Sequence, residues 1–334
     1  MNKGERSEGY AFLYLLIFNE ISFADSKFNK TSDSIKVNSL AENNHKTYIK
    51  INGDKTLSIY NLKNELVDKF NLEEIITEKF LSELLQSIKD KTDVSFNSNF
   101  IKEKLKIKKL KAPSSIKSDF LISFSHKDIT YNQLQGVSVK SYLGNIPAVL
   151  NASKATNLIY KVENFQGSIE EVNLIDNRTK ILDRIDLIVK QGGVLKYLRC
   201  SNSVFEDNLR KVDSMMPQML GQAILDRYLK KDSKFINLIT DPVKIIHFTS
   251  LLKAAAFGMF PSKVWDGTHP VKGIISVLEK GDLVFYHFLN EEYLNKYLFE
   301  NAYFETASTS KHKFGDLYKE DGNLYIKLNC NLRV

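Results

Sequence analysis

Cysteine is nearly absent from this chain of 334 residues, which carries Cys200 and Cys330 and no other thiol. Structural zinc takes four Cys or His ligands at close spacing, so two distant cysteines exclude a zinc site built on them. They equally exclude a disulfide scaffold and fit a reduced, intracellular protein. The histidines do not make up the shortfall: His45, His126, His247, His269, His287 and His312 are scattered, with no pair at metal-binding spacing. His287 sits inside the apolar run Phe285–Leu289, which favours a structural role. No glycine-rich phosphate loop of P-loop or Rossmann type is present, and no Gly-x-Ser-x-Gly elbow marks a serine hydrolase. The apolar run Tyr10–Phe18 is too short to span a bilayer. Lys3 and Arg6 before it and Ser22-Phe23-Ala24 after it outline a signal peptide, but Glu5, Glu8 and Glu20 stand where such a leader disfavours acid. The run therefore reads as an internal helix of a cytoplasmic protein.

What is present is ordinary globular material with a basic balance. Hydrophobic residues make up 43% and charged residues 26%, enough to build a core, and the length suits one elaborated domain or two. A net charge of +7 and a pI near 9.0 favour an anionic partner, nucleic acid first and a membrane surface second. A Lys/Asn/Ile bias inherited from an AT-rich genome would give the same numbers.

Along the chain, residues 4–20 fit a helix with Glu5, Glu8, Phe12 and Leu15/Leu16 on one side. Its two glutamates either favour the positive end of the helix dipole or point into an active site. Short strand-like pieces follow at Thr47–Ile51 and Leu57–Tyr60, then a helix over Leu72–Ile88. In Ile101–Lys111 lysines interleave with Leu105, Ile107 and Leu110, as on a solvated face or one that meets phosphates. Helices are expected over 180–190, where Gly192-Gly193 stops the turn, and over 204–212, 216–230 and 243–257, the last started by Asp241-Pro242. Met215, Met216 and Met219 read as core filler. Strands at 273–278, 283–289 and 324–328 surround a helix at 290–300. With no internal repeat and no clear linker, the expected division is 1–195, a helical segment 196–262, and a C-terminal α+β segment 263–334.

The stretch from Ser118 to Asn157 carries the most chemistry. Read with period 2, Phe120, Ile122 and Phe124 share one face, and Asp119, Leu121 and Ser123 the other. After a turn over 125–134 the chain returns with Val137 and Val139 buried and Ser138 and Lys140 opposite them. Paired strands would thus set a carboxylate and an ammonium on one polar face. Such a pair suits metal-assisted phosphodiester hydrolysis, because Mg²⁺ takes hard oxygen ligands and a lysine can hold water or phosphate. It also arises by chance in many sheets. The polar cluster Asn151, Ser153, Lys154, Thr156 and Asn157 suits phosphates or base edges, or caps a helix.

Several of these residues belong to a larger pattern. Lys3-Gly4-Glu5-Arg6-Ser7-Glu8, Val137-Ser138-Val139-Lys140-Ser141-Tyr142-Leu143-Gly144 and Leu150–Asn157 resemble the HpaII family of type II restriction endonucleases. So do Trp265-Asp266-Gly267, Tyr286-His287, Tyr297-Leu298, the run Glu305–His312, Phe314-Gly315 and the ending Lys327–Arg333, all in the same order. Residues 25–110 carry no part of the resemblance.

The resemblance implies an α/β fold with a PD-(D/E)xK-type nuclease core, a central mixed sheet flanked by helices, with added helical and C-terminal segments. It implies Mg²⁺-dependent cleavage of double-stranded DNA at a short palindrome. The family's founding specificity is CCGG, cut after the first cytosine, and cytosine-C5 methylation protects it. A companion cytosine DNA methyltransferase belongs to such a system. Carried onto this chain, Asp119 is the metal-binding aspartate and Lys140 the catalytic lysine. The acid usual two residues before the lysine is Ser138 here. Ser153 and Lys154 occupy the region to which some such nucleases move that carboxylate, and Glu163 lies further on. That leaves Glu8 or Glu5 on the first helix, Glu8 being preferred, with Gln135 as a neutral substitute. DNA contacts are expected from Asn151, Ser153, Lys154, Thr156 and Asn157, and from Thr306, Ser308, Thr309, Ser310, Lys311 and His312. A two-fold dimer is the simplest reader of a palindrome, and a monomer nicking twice fits as well. A non-cleaving DNA-binding protein and a repair-type nuclease on the same fold are the competing readings.

Overall fold

The computed structural model describes residues 3–43, 45–92, 98–107 and 116–334, with residues 3, 98 and 99 described by backbone alone. The expected lysine-rich segment is a helix at its start, and residues 108–111 lie outside the described residues.

In chain order, the first unit opens with α1 (Lys3–Phe18), β1 (Glu20–Ala24), β2 (Lys30–Glu42), β3 (Thr47–Ile51), β4 (Thr56–Asn61) and β5 (Leu66–Asn71). Then come α2 (Glu78–Asp90), α3 (Ser98–Leu105), β6 (Phe120–His126) and β7 (Ile129–Ser141). The chain then passes through β8 (Ala148–Leu150), β9 (Asn157–Glu163), α4 (Ile169–Leu174), α5 (Lys180–Lys190) and β10 (Val194–Cys200). Helices α6 (Ser203–Val212), α7 (Met216–Leu229), α8 (Phe235–Leu238) and α9 (Pro242–Phe257) follow. Next are β11 (Val271–Val277), β12 (Leu283–His287) and α10 (Glu291–Asn301). The last elements are β13 (Tyr303–Phe304), α11 (Thr309–His312), β14 (Leu317–Glu320), β15 (Asn323–Asn329) and β16 (Leu332–Arg333). Two compact units result: residues 1–147 with 269–297, and residues 148–268 with 298–334. The expected boundaries near 196 and 262 both fall inside the second unit.

The first unit is a mixed α/β unit built on a nine-stranded sheet in the order β1-β12-β11-β7-β6-β2-β3-β4-β5. An additional β1–β2 pairing closes six of these strands, β1, β12, β11, β7, β6 and β2, into a ring. Closure depends on the length of β2. Its first half pairs with β1 through Lys30–Lys36, and its second half pairs with β6 through Lys36–Glu42. Register shifts at Val37/Ser39 and at Ile122/Phe124 supply the bends such a closure needs. β7 runs antiparallel to β6 and parallel to β11. The β6–β7 turn is far tighter than residues 125–134, since the strands are separated by Lys127 and Asp128 alone, with Lys127 at φ 52°.

The interior of this unit is aromatic. Phe23 stacks on Phe285, and Phe124 packs edge-on to Phe285 and His287. Helix α1 lays Phe12 edge-on against Phe120, and its Ala11, Leu13, Leu15 and Leu16 are fully buried. His287 has the structural role its apolar strand favours. Its Nδ1 accepts the Leu289 amide at 3.1 Å, which leaves Nε2–H to donate to Gln135 Oε1 at 3.2 Å.

The second unit holds a four-stranded antiparallel sheet, β10-β9-β15-β14, and a three-stranded one, β13-β16-β8. Helix α7 starts at the expected place with Pro217 in its first turn, and α9 is capped by the Asp241 carboxylate, which accepts the Val243 and Lys244 amides. Of the three methionines expected as core filler, Met216 is fully buried and Met219 half-buried, but Met215 is 54% exposed, because it stands just before the helix on its solvent side. Cys200 and Cys330 are free and buried, and burial pushes the Cys200 thiol up to about 12. Among the described residues no helix is long and apolar enough to cross a membrane.

Candidate active site and nucleic-acid interface

Alternation along two paired strands builds the first site. Phe120 stands opposite Val137 and Ile122 opposite Gln135, and directly opposed residues share a face. Val137 and Phe120 point into the core, so Asp119, Ser138 and Lys140 occupy the reverse face. The Asp119 amide donates to the Val137 carbonyl at 2.8 Å, which continues the ladder one residue past β6. Asp119 Oδ2 accepts the Val139 amide at 2.5 Å, and the Ser138 hydroxyl also donates to this carboxylate.

Asp119 and Lys140 therefore stand together in a confined place. Burial pushes the Asp119 carboxyl up, opposed by the Val139 amide, the Lys140 charge and the Ser138 hydroxyl. Burial pushes Lys140 down, opposed first by Asp119 and then by Glu8. Ser276 pairs with Lys140 in the parallel register, Tyr297 meets the Ser276 side chain and the Tyr142 hydroxyl, and Ser276 and Tyr297 are fully buried.

On helix α1, the Glu8 charge acts on Lys140. Its position follows from the docking of α1, where Ser7 Oγ donates to Ser141 Oγ at 2.8 Å and Arg6 Nη2 to Ser87 Oγ on α2 at 2.6 Å. Glu5 is half-buried one turn earlier. Gln135, the neutral alternative, faces away from Asp119 and Lys140. It lies on the core face opposite Ile122 and is paired with His287. Glu163 belongs to the second unit, where it is paired with Lys196 at 2.6 Å.

One neighbour was missed from the sequence. Lys117 is half-buried, and burial together with the Lys140 charge pushes its ammonium down to about 7. The signal was there in its spacing, two residues before Asp119. Among the described residues no group of three or more His, Cys, Asp or Glu forms a ready-made metal cage.

The second unit gathers the expected DNA-contacting residues around two clefts. One, of about 500 Å³, brings Asn151 together with Thr306, Ser308, Lys311 and His312, and adds Glu305, Asn331 and Arg333. The other, also about 500 Å³, is lined on its far side by Arg178, Lys180, Arg227 and Lys231 and shares Thr306 and Ser308, with Thr309 beside them. Arg227 Nη2 donates to Thr306 Oγ1 at 2.5 Å. Lys154, Ser310 and Lys311 are exposed, and Ser153 is half-buried.

Thr156 and Asn157 are placed otherwise. Both are buried, so neither side chain is presented to a ligand. Asn157 Nδ2 donates to the His312 carbonyl at 2.9 Å, and Asn329 Nδ2 donates to Asn157 Oδ1 at 2.6 Å and to Thr156 Oγ1 at 3.1 Å. They brace the segment that carries Ser308–His312. Packing made them framework residues, which their polarity alone did not reveal.

The chain matches the family described as HpaII restriction endonuclease over residues 2–334. It is 30% identical to the type II restriction enzyme HpaII of Haemophilus parainfluenzae over 357 aligned positions, covering 99% of this chain and 98% of that protein. No solved structure matches it. Similarity of this depth from end to end settles the affiliation: the chain belongs to the HpaII family of type II restriction endonucleases, which are site-specific deoxyribonucleases.

Proposed function

We propose that this protein hydrolyses double-stranded DNA at a short palindrome, CCGG, in a Mg²⁺-dependent reaction that leaves 5′-phosphate and 3′-hydroxyl ends. The observation that carries the reading is the joint placement of Asp119, Lys140 and Glu8, with the Asp119 carboxylate fastened to the residue before the lysine. The ring-forming sheet is read as a PD-(D/E)xK core elaborated by extra strands.

The donor set fits Mg²⁺. That ion takes one or two carboxylates and leaves its other positions to water and phosphate, and Asp119 and Glu8 supply two carboxylates from separate elements. A cation there would also relieve a carboxyl that burial holds up. Bound Mg²⁺ supplies Lewis-acid stabilisation of the phosphoryl oxygen and acidifies an adjacent water. The protein's own groups do the positioning. Asp119 and Glu8 would hold the ion, Ser138 and the Val139 amide hold Asp119, and Lys140 orients the attacking water and balances charge on the phosphate. Attack in line with the 3′ oxygen breaks the P–O3′ bond.

The exposed residues of the second unit are assigned to DNA contact: Asn151, Lys154, Thr306, Ser308, Ser310 and Lys311, with Ser153, Thr309 and His312 beside them. Two copies on one palindrome would cut one strand each. The protein works in the cytoplasm beside a cytosine methyltransferase. Plasmid DNA incubated with and without Mg²⁺, followed by sequencing of the ends, tests the whole reading. Discrete fragments with constant ends that all fall at CCGG sites, absent without Mg²⁺, are expected. Random nicking or intact plasmid would refute it.

A further inference from the structure

We propose that the Glu305–Asn331–Arg333 cleft of the second unit reads one G·C base pair, with Arg333 on the guanine and Glu305 on the cytosine. The inference rests on the nuclease reading above and assigns it a specificity determinant.

The backbone puts the three side chains on one face. Asn331 and Arg333 alternate along β16 and its lead-in, Tyr303 stands opposite Arg333, and the Glu305 amide donates to the Asn331 carbonyl at 3.0 Å. Their polar ends converge on a single atom. Glu305 Oε2 accepts from Arg333 Nε at 2.9 Å, from Arg333 Nη2 at 2.7 Å and from Asn331 Nδ2 at 2.8 Å.

The ion pair is not sealed into the fold. The Arg333 and Glu305 side chains are 23% and 39% exposed, and they open on a cleft of about 500 Å³ rimmed by Asn151 and Lys311. A pair this open adds little to stability. It does fix a guanidinium fork beside a carboxylate. In the major groove guanine offers O6 and N7 to such a fork, and cytosine offers its N4 hydrogens to a carboxylate. One G·C edge therefore matches both partners at once, each base group replacing half of the intramolecular pair. An A·T edge presents its acceptors one per base and leaves the fork half satisfied, and an unpaired charge in a closed interface is costly. Asn331 is 4% exposed and serves as a positioning residue that keeps Glu305 turned toward the cleft.

Cleavage by wild type, Arg333→Ala and Glu305→Gln is measured on duplexes carrying the enzyme's own site and every single-base-pair change of it, with a thermal melt of each protein. Both variants are expected to cut the true site about 5- to 150-fold more slowly, the cost of one lost bidentate contact. Discrimination should collapse at the same one base-pair position, together with its symmetry mate, and persist elsewhere. Equal slowing on every duplex, or unchanged discrimination throughout, overturns the proposal. Glu305→Gln keeps an acceptor for Arg333 and Asn331, so it decides the matter alone if Arg333→Ala does not fold. A wild type without constant termini refutes the nuclease reading and this inference together. A wild type with constant termini and variants that discriminate as it does refutes the inference alone.

Discussion

Asp119 Oδ2 and the Val139 amide are 2.5 Å apart, which ties the carboxylate across the β6–β7 ladder to the residue immediately before Lys140. The two charged groups are thus coupled through the backbone of one strand and cannot drift independently. Replacing Lys140 by alanine leaves that tether intact while removing the ammonium. Cleavage should fall by at least about 100-fold, as when a single preorganised electrostatic donor is lost. Duplex affinity, measured by fluorescence anisotropy, should change little, and full activity would sink the assignment.

Metal demand separates the two helix acids. Glu8 acts on Lys140, so Glu8→Gln should raise the Mg²⁺ concentration needed for half-maximal cleavage. The expected shift is about 10- to 100-fold, the range typical of disturbed metal sites. Glu5→Gln should shift the same midpoint much less, and the reverse order would move the missing carboxylate one turn back along α1.

Gly136 lets the approach to Asp119 pass close to β7. A Cβ added there would stand 2.9 Å from both the Pro270 carbonyl and Ser118 Cβ, and the carbonyl is backbone that cannot swing aside. Gly136→Ala should therefore cost about 1–3 kcal/mol in a denaturant melt and slow cleavage by displacing Asp119. Unchanged stability and rate would show that the strand accommodates the methyl.

His287 links stability to pH. Burial first, then Lys272 and His126, push its imidazole down to about 4 from 6.5. Its folded pKa lies below the unfolded one, so the unfolded chain binds more protons between those values and stability falls as the medium is acidified from about 6.5 to 4. The contribution is fully present above 6.5 and spent below 4, on the order of 3 kcal/mol. His287→Gln should flatten this part of the stability curve, and a curve of unchanged slope would refute the linkage.

Arg178 is exposed on the basic cleft. If it meets phosphate, Arg178→Ala should weaken all duplexes alike and make the slope of log affinity against log salt shallower by about 0.9. A sequence-dependent loss would make it a base reader instead.

The helix α1, the pairing of β6 with β7 and the face shared by Asp119, Ser138 and Lys140 were legible in the residues because they rest on local periodicity. A strand alternates every second residue, and a hairpin's neighbours are also neighbours in sequence. The family was legible too, since its motifs are contiguous words. Ring closure was not, because it depends on how β2 divides its two halves between β1 and β6 and on the return of β11 beside β7. Nor was the turn at Lys127-Asp128, hidden by polar residues that extend the strand rather than break it.

At the site, the sequence determined which residues carry charge and which side of their own strand they take. Tertiary structure decided which of them meet. Ser7 meets Ser141 where α1 docks, Thr156 and Asn157 disappear under Asn329, and Arg333 finds Glu305 across a two-residue ladder. Each of these contacts joins segments distant in the chain. The free energy that selects them comes from burying apolar surface elsewhere in the fold, which no local pattern of polar residues encodes.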